Sequence, residues 1–250
     1  PLQAAAARHD VTVNVVLEVD VGLGRVGVET GEPAVELAER IAAAPNVRLD
    51  GVMGYEGHVA YGDDPPETEA ELERRSLACM DDLADTVAAI EDAGIEVGDV
   101  GVGSTATARY SGTHPIVSEI HPGMYPFMDA HLAALPGIEK RDCALSVHST
   151  VISAPTDDRV VVDAGSKSIS LELDVDPLYA GEDAIQYVNA SEEHGWIDVS
   201  DLDRELSVGD RLAFIPPHVC PTINLHDTLI GVREGRVETV WSVQGRGKVK

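Results

Sequence analysis

The sequence predicts an α/β region followed by a mostly antiparallel β-region, and three observations carry that prediction. Strand-like and helix-like segments alternate through the first half, which implies parallel strands joined by crossover helices. After about Lys140 the segments become short and alternating, are separated by Gly, Asp and Pro, and leave little room for helices. Neither region contains an internal repeat or a low-complexity segment. The division falls at residues 1–138 and 139–250, with the join near Leu135 to Lys140.

Val11 to Val19 (VTVNVVLEV) is rich in β-branched residues and reads as a buried strand, and DVGLGRVG then supplies glycine-rich turn chemistry. Residues 32–44 follow as a helix with Pro33 in its first turn. A short strand runs from Leu49 to Tyr55. The amphipathic helix over Pro66 to Ala93 repeats Leu72, Met80, Leu83, Val87 and Ile90 at helical spacing. A strand near Val97 to Val102 ends in GSTATA, and another over Ile116 to Phe127 contains HPGMYPF. In the second region ALSVHSTVIS, DRVVVDAG, DRLAFIP and RVETVWSV read as strands of a small barrel or sandwich.

Composition narrows the function classes. With 44 Asp and Glu against 18 Lys and Arg, the formal net charge is −26, and only four residues are lysine. No nucleic-acid partner is expected, because phosphates meet repulsion where a basic stripe is needed. The acids are spread over the whole length, a self-repelling surface of the kind halophiles use, so a halophilic protein is expected. Three scattered cysteines, Cys79, Cys143 and Cys220, make no disulfide framework. No run of about 18 apolar residues exists to cross a membrane. A cytoplasmic protein with no membrane partner is therefore expected.

Several segments carry polar chemistry. In PPHVCPTINLHD, residues 216–227, an extended strand would point His218 and Cys220 to one face, where imidazole and thiolate could converge on zinc; a core His beside a buried Cys is the commoner use of this spacing. GVGSTATA at 101–108 follows a strand, and its amides with the Ser104 and Thr105 hydroxyls could hold a phosphate or form an ordinary βα turn. EIHPGMYPFMDAHL at 119–132 offers Gly123 for close backbone approach and the Tyr125 hydroxyl. In GYEGHVAY at 54–61, Tyr55, His58 and Tyr61 are site residues or strand-end polar groups.

Taken together, EVDVGLGRVGV (18–28), GYEGH (54–58), HPGMYPFMDAHL (121–132), DAGSKSIS (163–170), SEEHG (191–195) and HVCPTINLHD (218–227) occur in the order seen in the D-threonine aldolase and D-serine dehydratase family, which this chain resembles. The resemblance implies an alanine-racemase-type fold: part of a (β/α)₈ TIM-type barrel that binds pyridoxal phosphate, then a β-domain. It assigns Ser104, Thr105 and the backbone of Gly123 and Met124 to the cofactor phosphate, and makes Tyr55 and Tyr125 cofactor neighbours. His121 stands where related racemases carry an arginine that meets the pyridine nitrogen. His218 and Cys220 become the metal pair, for zinc or alternatively manganese or another divalent ion.

The implied activity is a metal-assisted lyase reaction on D-β-hydroxy amino acids, aldolase-like with glycine and an aldehyde as products. The alternatives are D-serine dehydratase, giving pyruvate and ammonia, then an alanine-racemase-like isomerase or a non-catalytic cofactor-binding homologue. A homodimer is implied by the same analogy. The family's Schiff-base lysine precedes the segment matching EVDVG, so that lysine and about half the barrel are expected outside this chain, which alone is expected to be inactive. Lys167 lies in the β-domain and is no equivalent; Lys140, Lys248 and Lys250 are expected as solvated linker and tail residues.

Overall fold

The computed structural model describes residues 1–61 and 64–248, and the chain divides into two compact units, Pro1–Gly123 and Met124–Lys250. Lys250 lies outside the described residues.

The first unit opens on a helix that the pattern reading did not anticipate, α1 (Leu2–Arg8), formed by an alanine run of high helix propensity. Its other elements are β1 (Val13–Asp20), β2 (Val28–Glu29), α2 (Glu32–Ala42), β3 (Val47–Gly54), α3 (Glu69–Asp92), β4 (Asp99–Val102), α4 (Ala108–Ser111) and β5 (Glu119–Ile120). The strands form one sheet in the order β2-β1-β3-β4-β5, and every pairing is parallel. All strands therefore end on the same edge of the sheet. Helix α3 starts where the Thr68 hydroxyl accepts the Glu71 N–H at 3.2 Å. Its apolar stripe, Leu72, Met80, Leu83, Val87 and Ile90, is buried along with Ala34 and Ala38 of α2 and with Leu17, Val19, Val52, Val100 and Val102 of the sheet. Each large side chain so buried contributes about 1.5–3 kcal/mol.

The strand expected over Ile116 to Phe127 shrinks to the two residues of β5. Pro122 and Pro126 lack the N–H that a continuing ladder requires, so HPGMYPF is loop.

The second unit begins with α5 (Ala130–Ala133). It continues with β6 (Val147–Thr156), β7 (Arg159–Val162), β8 (Leu178–Tyr179), β9 (Gln186–Ala190), β10 (Gly195–Asp198) and β11 (Arg211–Ile215), which close a barrel in the order β10-β7-β6-β11-β8-β9. Its pairings are antiparallel. Phe214 is fully buried at the centre, with Tyr187 edge-on to it at 5.3 Å between ring centroids and Val151, Val162, Ile169 and Ile197 around it. A short helix, α6 (Val219–Asn224), follows β11. The chain then forms β12 (Thr228–Arg233) and β13 (Arg236–Ser242), which pair only with each other; RVETVWSV thus belongs to a hairpin and not to the barrel.

Candidate active site

Because the sheet of the first unit is parallel, the loops leaving β1, β3, β4 and β5 gather on its C-terminal edge, where α/β sheets carry their sites. Tyr55 follows β3, Ser104 and Thr105 follow β4, and His121 and Gly123 follow β5. Five of the residues singled out by sequence thus share one edge.

The loop after β1 is shaped by Asp20, whose carboxylate accepts the N–H groups of Gly22 at 2.9 Å and Gly24 at 3.0 Å. Those backbone bonds hold its carboxyl below the usual value, with Gly24 the largest contributor. Gly22 sits at φ +123, and a Cβ there would lie 2.7 Å from His58 Nε2, so only glycine lets this loop lie against the imidazole. The Arg25 guanidinium stacks 4.8 Å from the Tyr55 ring centroid. His58 Nε2 is also 3.9 Å from Cys79 Sγ, a buried thiol pushed up to about 11 by desolvation and then by Glu56 and Asp82. At the neighbouring strand end the His121 ring lies against Gly101, whose Cβ would meet it at 2.7 Å, and Nε2 is 3.3 Å from Glu119 Oε2.

Ser104 is buried and bonded inward: its N–H and hydroxyl both reach Thr107 Oγ1 at 3.0 Å. Sequence reasoning missed the group that organises this loop. Glu56, with no exposed surface, accepts the Gly103 N–H at 3.0 Å, the Thr107 hydroxyl at 2.7 Å and the Ser111 hydroxyl at 2.5 Å. At Gly123 no atom lies within 4 Å of where a Cβ would stand. An open glycine and a tightly fixed glycine-serine loop on the same sheet edge fit a phosphate-bearing cofactor.

In the second unit Met124 turns the chain, its carbonyl accepting the N–H groups of Phe127 and Met128, and Tyr125 is 61% exposed. His218 and Cys220 do not lie on a strand as expected. His218 is the extended residue that precedes α6, and Cys220 lies in the first turn of that helix. Two features start a helix here: Pro221 is accommodated in a first turn, and the buried Asp129 carboxylate accepts the Val219 N–H at 3.1 Å while its other oxygen caps α5 through Leu132. The Cys220 side chain, more than the Glu172 carboxylate, pushes the His218 imidazole up to about 9 against the opposing effect of burial. Glu172 Oε1 stands 2.8 Å from His218 Nδ1. Two further bonds, Ser170 N–H to Thr222 Oγ1 at 3.1 Å and His226 Nε2 with the Ser168 carbonyl at 2.8 Å, tie the DAGSKSIS segment to the HVCPTINLHD segment. Lys167 is occupied by Glu192 and Glu193 of the SEEHG loop.

Among the described residues no group of three or more His, Cys, Asp or Glu side chains is arranged to hold a metal ion. An imidazole with a carboxylate on Nδ1 and an exposed thiol two residues on are a donor set that suits a borderline-soft divalent ion with open coordination positions.

A parallel sheet with its site loops on the C-terminal edge, followed by a closed antiparallel barrel, defines a fold of the alanine racemase type, with a TIM-type first portion. The chain belongs to the family of the alanine racemase N-terminal domain, whose model matches residues 1–131, and a putative serine dehydratase domain matches residues 144–232. It is 35% identical over 254 residues to the 3-hydroxy-D-aspartate aldolase of Paracoccus denitrificans (strain Pd 1222), covering 99% of this chain and 64% of that protein. The crystal structure of D-threonine aldolase from Filomicrobium marinum matches with a TM-score of 0.89 at 32% identity, over 100% of this chain and 67% of that one. A cysteine-to-alanine variant of the D-threo-3-hydroxyaspartate dehydratase from Delftia sp. HT23, solved in the metal-free form, shares the fold with a TM-score of 0.83 at 24% identity, over 96% of this chain and 68% of that one. The chain thus spans about 64% of the length of the curated aldolase it matches. No helix among the described residues is long and apolar enough to cross a membrane.

Proposed function

We propose that this chain is part of a pyridoxal-phosphate-dependent, metal-assisted lyase that acts on D-β-hydroxy amino acids, most nearly a D-threonine aldolase that releases glycine and an aldehyde. The observation that carries the reading is the His218 imidazole held by Glu172 at 2.8 Å, with Cys220 two positions on in the first turn of α6, in a chain whose parallel-sheet loops fit a phosphate. Bound there, the cofactor supplies an electron sink for the bond broken at Cα. A divalent ion, zinc by the softness of the thiolate and manganese as the alternative, supplies Lewis acidity toward the substrate β-hydroxyl. His218 offers Nε2 to that ion while Nδ1 is engaged by Glu172, and Cys220 offers Sγ. By the family resemblance the Ser104–Thr105 loop and the backbone of Gly123 and Met124 would hold the phosphate end. By the family resemblance His121 would stand where the pyridine nitrogen is met, and Tyr55 and Tyr125 would be neighbours of the cofactor.

The aldolase reading is supported by relatives named as aldolases of D-3-hydroxy amino acids. A dehydratase reading is favoured by one observation, the match of residues 144–232 to a putative serine dehydratase domain that contains both metal candidates. An isomerase or a non-catalytic homologue has no use for His218 and Cys220. The same reading includes a cytoplasmic homodimer without nucleic-acid or membrane partners, which light scattering tests. The deciding assay uses the polypeptide at the full length of its relatives with D-threonine, D-serine and 3-hydroxy-D-aspartate, glycine and keto acid being read separately. Glycine is expected from D-threonine. Keto acid alone would replace the aldolase reading with the dehydratase one, and no product from any of the three would overturn both.

A further inference from the structure

The buried carboxylate of Glu56 has no role in the chemistry proposed above, although three donors from one loop and the helix after it converge on it. The protons of that cluster can be followed one by one. As a carboxylate, Glu56 only accepts, so the single hydroxyl proton of Thr107 points to Oε1 and that of Ser111 does the same. Thr107 Oγ1 then has two lone pairs left. The Ser104 N–H takes one and the Ser104 hydroxyl proton takes the other, each at 3.0 Å. Ser104, only 3% exposed, is left with no proton to give to an anion. The other Glu56 oxygen fixes the direction of the Gly103 peptide through its N–H.

We propose that Glu56 is the positioning residue of the phosphate loop: it sets the direction of the loop's backbone amides, the Ser104 N–H ties the loop to Thr107, and the Ser104 hydroxyl, turned inward, does not donate to the phosphate. The inference rests on the reading that this loop receives the cofactor phosphate. It reverses the role that the resemblance implies for the Ser104 hydroxyl. It also explains why a carboxylate occupies the third position of GYEGH, between two loops about fifty residues apart in the chain.

The test compares pyridoxal 5'-phosphate with pyridoxal, which differ in the phosphate alone. Dissociation constants are measured by equilibrium dialysis on the chain, on E56Q and on S104A, and the pyridoxal-to-phosphate ratio isolates what the loop contributes. In E56Q an amide NH₂ replaces one acceptor, so either the Gly103 N–H or the hydroxyl pair faces a donor. The ratio is expected to fall about ten- to hundredfold with the affinity for pyridoxal unchanged. S104A is expected to keep the ratio within about threefold, since the group removed is not a donor to the ligand. A tenfold drop in S104A, or an E56Q ratio equal to that of the unsubstituted chain, would overturn the inference while leaving the phosphate reading intact. Equal affinities of the unsubstituted chain for the two vitamers would overturn the phosphate reading and the inference with it. Should E56Q fail to fold, S104A still decides, because a serine that donates and one that does not give opposite results.

Discussion

The Glu172–His218 contact makes the proposed metal pair testable one side chain at a time. A carboxylate on Nδ1 fixes the tautomer that frees Nε2, and loss of such a partner typically weakens metal affinity about 10–100-fold. Glu172→Gln is therefore expected to release zinc within that range to a chromogenic chelator, while Cys220→Ala loses it altogether and leaves the cofactor's visible absorbance in place. Unchanged metal content in Cys220→Ala would remove the ligand assignment. A second single-residue effect lies in the barrel core. Tyr187 donates its hydroxyl to the Ala164 carbonyl at 2.7 Å, and burial pushes its phenol up from 10.0 to about 12. A phenol kept neutral by the fold contributes stability that is whole below pH 10 and fades as pH climbs to about 12. Circular dichroism melts should show that loss over this window, and Tyr187→Phe should flatten it. At this scale the sequence singled out residues that sit in motifs, among them His218, Ser104 and Tyr55. It missed Glu56 and Asp129, because their partners, Thr107 and Ser111 for one and Val219 for the other, lie tens of residues away and no local pattern records them.

At the scale of elements, most of the first unit was legible because 3.6-residue and β-branched periodicities survive in α3, α2, β1 and β3. The failures have local causes. Prolines cut β5 to two residues, and at 218–224 a distant carboxylate cap plus a first-turn proline turned an expected strand into α6. The contact of β3 with β4 depends on a missing side chain: a Cβ on Gly51 would stand 2.2 Å from the Asp99 carbonyl oxygen. Gly51→Ala should therefore push the two strands apart and lower stability by about 1–3 kcal/mol, read as a shift in urea midpoint without a change in slope. An unchanged midpoint would mean that the strands part freely.

For the molecule as a whole the dominant physical quantity is the charge of −26. We infer a halophilic protein from it. Mutual repulsion among carboxylates opposes compaction, and molar salt shortens its range to about 3 Å. The melting temperature is expected to rise steadily from dilute buffer to molar potassium chloride; a fall over that range would end the halophile reading. The change of texture between an α/β and a β region was visible in sequence because crossover helices and short hairpin-linked strands leave different spacing. The choice between a small barrel and a sandwich stayed open in the sequence, since closure depends on β10 meeting both β7 and β9, pairings that periodicity does not encode.

Both tryptophans of the chain belong to the second unit, Trp196 on β10 and Trp241 on β13, and they are 42% and 54% exposed. Their indoles already sense solvent in the folded protein, so emission should shift little toward the red on unfolding. The parallel sheet and its glycine-serine loop contain no indole, and their melting would pass unseen by tryptophan fluorescence. A far-ultraviolet signal, or a reporter dye placed on that half, is what would record it.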